Sequence, residues 1–167
     1  MGSEIIIEEY FVCSVTHEDI PELVRMRLSL QEHMENANSL ILRYTDEWKR
    51  GLSATFGKLL DDSNVTVIKA VTNKDKKTVG MMVGTVNEHP QFTIERSGKI
   101  DDVWVDIDHR NKGLASQMLS DLLSRFTEKG IKHITLNYVV NNIEAERTWR
   151  ALGFNPAITN CVTIMKD

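Results

Sequence analysis

The chain has 167 residues, enough for one sizeable hydrophobic core and short for two, so a single domain over residues 1–167 is expected. Hydrophobic residues make up 41% and charged residues 26%, as in soluble globular proteins, and a net charge of -4 gives no basic footprint for nucleic acid. No apolar run approaches a membrane span, and the first residues lack a leader's charged start and apolar block, so a cytoplasmic chain without a membrane partner is expected.

Tyr10 to Val15 reads as a short strand. Asp19-Ile20-Pro21-Glu22 combines an N-cap, an early proline and a capping-box glutamate, opening a helix through Leu23, Val24, Arg27, Leu28 and Gln31. Gln31 to Tyr44 is polar and irregular. Trp48, Leu52, Phe56 and Leu59 mark a second helix, weakened by Gly51 and Gly57. Val65 to Val71 and Val79 to Val86 are strands joined by the charged turn 73–77, and a further strand starts at about Thr93 or Ser97 and runs into Val105. Leu114, Met118, Leu122 and Phe126 give the apolar stripe of a helix packed on a sheet, ended by Gly130. His133 to Val140 reads as a strand, 141–153 as a helix, and Ile158 to Met165 as a closing strand. Runs of strands mixed with strands separated by helices imply a mixed α/β sheet with helices on its faces.

Cys13 and Cys161 fall in apolar, strand-like segments and are read as two reduced core thiols. Five histidines without ligand spacing and two distant cysteines give no metal site.

The most informative stretch is Val103-Trp104-Val105 followed by the loop Asp106 to Gly113 and the helix that opens at Leu114. A helix start offers unpaired N–H groups and the positive end of a dipole, and Arg110 and Lys112 add full charges. Gly113 lets a backbone come close to a ligand, so the loop reads as a phosphate cradle. Taken alone, it is also compatible with a sheet-to-helix turn with a solvated basic face. Neither G-x-x-x-x-G-K-[ST] nor G-x-G-x-x-G is present, which removes the P-loop and weakens a dinucleotide fold.

Arg110-Asn111-Lys112-Gly113-Leu114-Ala115 fits R-x-x-G-x-A, and Asn142 to Phe154 fits N-x-x-A-x-x-x-W-x-x-x-G-F. The two patterns, in this order and separation, resemble the paired signatures of the GNAT N-acetyltransferase superfamily. The resemblance covers residues 99–154 by motif and the whole chain by element order. It implies a mostly antiparallel mixed sheet flanked by about four helices, with acetyl-CoA as co-substrate. It further implies that the strands at 100–105 and 133–139 splay apart around the pantetheine arm. Backbone groups of Val103, Trp104 and Val105 would then meet the acetyl-pantetheine end, N–H groups from Arg110 through Ser116 (Asn111, Lys112, Gly113, Leu114 and Ala115 between them) would hold the pyrophosphate, and Asn142 would reach the arm. Trp149 takes the catalytic place where many relatives carry a tyrosine that protonates the departing thiolate. An indole N–H is a donor only and a very poor acid.

The chemistry this implies needs a base, because an alkylammonium carries no lone pair at neutral pH. Asp101, Asp102 and Glu95 lie on or before the central strand, and alternation puts Asp101 on the face of Val103 and Asp102 on that of Trp104. Asp101 is the favoured base, by its match to a glutamate of some polyamine-type relatives; pairing with Lys99 is its competing role. His33 and His89 are secondary candidates. The expected reaction is acetyl transfer to a small cationic amine, drawn by Asp101, Asp102, Glu95, Glu32 and Glu35. A protein N-terminus or lysine is the alternative acceptor, and a catalytically silent acyl-CoA-binding module the alternative of another class. Val162, Ile164 and Met165 on the closing strand form an edge without charge except at Lys166 and Asp167, so a homodimer is expected.

Overall fold

The computed structural model describes residues 9–165. The expectations placed on the first eight residues and on Lys166 and Asp167 lie outside them. The elements run β1 (Tyr10–Ser14), α1 (Ile20–Ala37), α2 (Asp46–Asp61), β2 (Val65–Thr72), β3 (Thr78–Glu88), β4 (Arg96–Val105), α3 (Leu114–Glu128), β5 (Ile134–Leu136) and α4 (Ile143–Ala151). One five-stranded sheet follows chain order, β1-β2-β3-β4-β5. Its first three ladders are antiparallel, and the β4–β5 ladder alone is parallel. This is the mixed sheet that the element pattern implied, and it is mostly antiparallel with four helices as the family resemblance implied.

Each face of the sheet carries its own core. On one face Leu114, Met118, Leu122 and Phe126 of α3 pack on Ile68, Ala70, Met82 and Ile100. On the other, Leu23 and Met26 of α1 and Phe56 of α2 pack on Val67, Met81, Val83 and Trp104. Each fully buried side chain of this size contributes roughly 1.5–3 kcal/mol. The α3 helix lies so close to the sheet that a Cβ at Gly98 would stand 2.5 Å from the Phe126 ring. Close helix approach, not backbone freedom, is what this strand glycine supplies.

Three expectations are corrected. The polar segment after Gln31 is helical as far as Ala37, because Leu30, Met34 and Ala37 continue the apolar spacing and Gln31 is buried, donating to the Leu42 carbonyl at 2.8 Å. The strand expected at Ile158 to Met165 has no ladder partner among the described residues; β5 pairs over three residues only, and Ile158, Val162, Ile164 and Met165 are exposed. Cys161 is accordingly exposed instead of a core thiol, while Cys13 is half-buried.

Candidate active site

The parallel ladder ends at the pair Ile100↔Leu136, and beyond it β4 and β5 separate. The opening is a cavity of about 400 Å³ lined from both sides of the sheet. Asp101, the first residue past the last pair, stands at the fork and lines the cavity.

The main chain of β4 has no partner strand along this gap. The Asp106 N–H donates to the Val79 carbonyl at 2.8 Å, so alternation turns the polar groups of Trp104 toward β3 and those of Val103 and Val105 toward the gap. Of the three residues singled out by sequence, Val103 and Val105 thus present backbone to the cavity. Trp104 lines it with its ring, whose indole N–H donates to Asp106 at 2.9 Å.

At the other end lies the start of α3. Its first intrahelical bond runs from the Gln117 N–H to the Gly113 carbonyl at 3.0 Å, leaving the N–H groups of Leu114, Ala115 and Ser116 free of helix partners. No side chain caps this end and its first turn holds no acid. Asn111 (φ 59°) and Gly113 (φ 77°) both adopt left-handed backbone, the conformation that asparagine and glycine tolerate best. Arg110, Asn111, Gly113, Leu114, Ala115 and Ser116 all line the cavity. Lys112 does not: its ammonium turns to β1, 2.9 Å from the Tyr10 hydroxyl and 3.1 Å from Glu9.

Arg110 reaches inward instead of adding charge at the loop's outer face. Its guanidinium donates to the Val105 carbonyl at 3.0 Å and to Glu144 at 2.8 Å, and lies 4.8 Å from the centre of the Trp104 ring. On the α4 side, Asn142 caps the helix, accepting from the Ala145 N–H at 3.1 Å, and it lines the cavity. Trp149 is 7% exposed, packs edge-on against Phe154 at 5.6 Å, and also lines the cavity.

The carboxylates correct the alternation argument. Val83 pairs with Asp102 but Gly84 pairs with Ile100, so Asp101 is the extra residue of a β-bulge. Its carboxylate accepts from Thr85 at 2.6 Å and meets Lys99 at 2.8 Å, on the α1/α2 face that Asp102 and Trp104 share, not on the face of Val103. Gly84, like Gly80 and Gly98 a glycine inside a strand pattern, is a sequence signal of such an irregularity. Asp102 does not line the cavity; it lies 3.3 Å from Arg27. Burial pushes its carboxyl above the ordinary range, the Arg27 charge works against that rise, and the negative charge of Asp101 adds to it.

The remaining candidates divide. His33 lines the cavity, whereas His89 bonds Ser97 at 2.8 Å outside it, and Glu32, Glu35 and Glu95 do not line it. Sequence reasoning missed Leu30 and Met34, which with His33 form one face of the unexpected end of α1. It also passed over Tyr138, which carries the one phenol in the lining among the described residues. Among the described residues, no group of three or more His, Cys, Asp or Glu is arranged to hold a metal, and no helix is long and apolar enough to cross a membrane.

The geometry thus joins an uncapped helix start, an open strand edge and a carboxylate in one cleft. Comparison with solved structures finds the same fold in the BH1408 protein of Bacillus halodurans, seen as a tetramutant, at TM-score 0.82 and 18% identity over 93% of this chain and 99% of that one. A predicted acetyltransferase from Clostridium acetobutylicum, solved with acetyl-CoA, matches at TM-score 0.75 and 17% identity over 93% and 96% of the two chains. The aminoglycoside 6'-N-acetyltransferase AAC(6')-Ih of Acinetobacter baumannii matches at TM-score 0.71 and 11% identity over 95% and 98%. At these identities the likeness speaks to fold alone, and no curated protein matches the sequence. The family model for the acetyltransferase (GNAT) family, however, matches residues 28–154, and the chain belongs to that family.

Proposed function

We propose that this protein moves the acetyl group of acetyl-CoA to a primary amine, a small cationic one, by direct attack in a ternary complex. The observation that carries the reading is the single cavity running from the uncapped start of α3, past the open main chain of Val103 and Val105, to Asp101 at the fork of β4 and β5.

The donor set suits acetyl-CoA as substrate. The N–H groups at the start of α3, from the loop through Ser116, suit a pyrophosphate. The polar edge of Val103 and Val105, with Asn142 across the gap, suits the amides of the pantetheine arm, which would lie along β4 as an added strand does. A main-chain N–H of that edge is the natural donor to the thioester oxygen as negative charge develops there.

Asp101 is the proposed base, directly or through water. It takes a proton from the ammonium, the amine nitrogen bonds to the acetyl carbon, the carbon–sulfur bond breaks, and the nitrogen's second proton passes through water to the departing thiolate, so that CoA leaves as the free thiol. Trp149 flanks the reaction as a packed ring and not as an acid. Asp101 is preferred to Asp102 because it lines the cavity and Asp102 does not.

The test is the pH dependence of thiol release with acetyl-CoA and a primary amine. Asp101→Asn should lower turnover at neutral pH by about 10²-fold, with partial recovery at high pH where the amine deprotonates unaided. An equal loss at every pH would mean that Asp101 only holds the bulge through Thr85. A wild-type protein that binds acetyl-CoA and releases no thiol with any amine, protein N-terminus or lysine peptide would be a binding module.

A further inference from the structure

The end of the cavity facing α1 bears on the acceptor. Leu30, His33 and Met34 stand at i, i+3 and i+4, so one helix face delivers all three. They line the same cavity as the Trp104 ring, toward which the His33 ring is tilted edge-on at 6.0 Å between centres. The leucine, the methionine and the indole therefore make an apolar part of the lining of the cavity that Asp101 also lines.

Apart from the exposed Glu32, the acids around this wall are paired. Asp101 meets Lys99 at 2.8 Å, Asp102 meets Arg27 at 3.3 Å, Asp106 meets Arg25 at 2.9 Å and Glu35 meets Arg43 at 3.7 Å. The acids that line the cavity are Asp101 and Glu144, and Glu144 is bound by Arg110. A first ammonium shares the Asp101 carboxylate with Lys99. A second one, set farther along the acceptor, meets Leu30 and Met34 and loses water without gaining a partner.

We infer that the acceptor is a monoamine whose nitrogen is borne on an apolar, aromatic body, in preference to a linear polyamine or an aminosugar. An aromatic body gains edge contacts with the Trp104 indole and a sulfur contact with Met34. The inference rests on the acetyl-transfer reading above and specifies its acceptor.

The experiment measures kcat/KM by thiol release from the full chain at saturating acetyl-CoA, with 2-phenylethylamine, putrescine, spermidine, kanamycin and a lysine peptide. The aromatic amine should lead putrescine by about tenfold or more, the discrimination an apolar pocket gives against a misfitted group. Met34→Glu supplies a partner for a second ammonium and should narrow or reverse that ratio with the KM for acetyl-CoA unchanged. Met34 is partly exposed, and the melting temperature of the variant verifies its fold. Putrescine, spermidine or kanamycin used as well as 2-phenylethylamine would overturn the inference and leave acetyl transfer standing. Acetyl-CoA binding without turnover of any amine would overturn both.

Discussion

Arg110, from the loop before α3, and Glu144, in the first turn of α4, meet at 2.8 Å across the mouth of the cleft. The same guanidinium holds the Val105 carbonyl at 3.0 Å, the acceptor that an extended ligand lying along β4 would use. The protein's own side chain therefore fills a hydrogen-bonding place in the proposed CoA path, and binding must exchange it.

Glu144→Gln should release Arg110 toward the phosphates and tighten CoA binding. Glu144 is half exposed, so the pair is worth about 0.2–1 kcal/mol, and the gain should be no more than about fivefold by calorimetry. Weaker binding in this variant would show that the pair builds the site instead of competing for it.

Gly113→Asp tests the cradle. A Cβ there meets nothing within 4 Å, so the change costs only left-handed strain, about 1–2 kcal/mol or roughly 2–8 °C in Tm. The new carboxylate would face the phosphates, so the rise in Tm that CoA should give the wild type should disappear in this variant. A full CoA response would remove the pyrophosphate from this loop.

Much of this arrangement was legible in the sequence. The Leu114-Met118-Leu122-Phe126 stripe and the loop before it depend on local spacing, and they stand where the pattern put them. The bulge at Asp101 is different, because side-chain period assumes an unbroken ladder and the register shift arises between Val83 and Gly84 on the partner strand. The end of α1 was hidden because Gln31, a polar residue, is buried by a bond to Leu42 eleven positions on, a tertiary contact with no local signature. Ile158 to Met165 failed for the converse reason: its composition suits a strand, but a strand exists only where a partner edge pairs with it.

The Arg25–Asp106 clamp ties α1 to the end of β4 through two hydrogen bonds at 2.9 and 3.0 Å. Burial raises the Asp106 carboxyl, but the Arg25 guanidinium and the Trp104 indole N–H outweigh it and leave the group below its ordinary 3.8. A depressed carboxyl stabilises the fold above the unfolded value and loses that contribution as pH falls through the folded one. Asp106→Asn should thus lower Tm at pH 7 by roughly 2–4 °C, for a half-exposed partner worth about 1 kcal/mol. The difference from wild type should shrink as pH falls below 3.8 and on through the folded-state value. A difference that persists in acid would assign the effect to packing.

The exposed apolar residues Ile158, Val162, Ile164 and Met165 lie on a segment without a partner strand in the described chain. Association of two copies through this segment is the proposed way of covering it. Light scattering should give twice the 19.1 kDa of one chain, and Val162→Lys with Ile164→Lys should halve it. A monomer at all micromolar concentrations would contradict the proposal.

The most direct measurement follows the acetyl group itself. The protein is incubated with acetyl-CoA carrying a deuterated acetyl group and a primary amine, and the small molecules and intact protein are weighed by mass spectrometry. Direct attack in one ternary complex predicts labelled N-acetyl amine in equal amount to free CoA, with protein of unchanged mass at every time point. Label on the protein before it reaches the amine, or intact acetyl-CoA recovered from the complex, would contradict it.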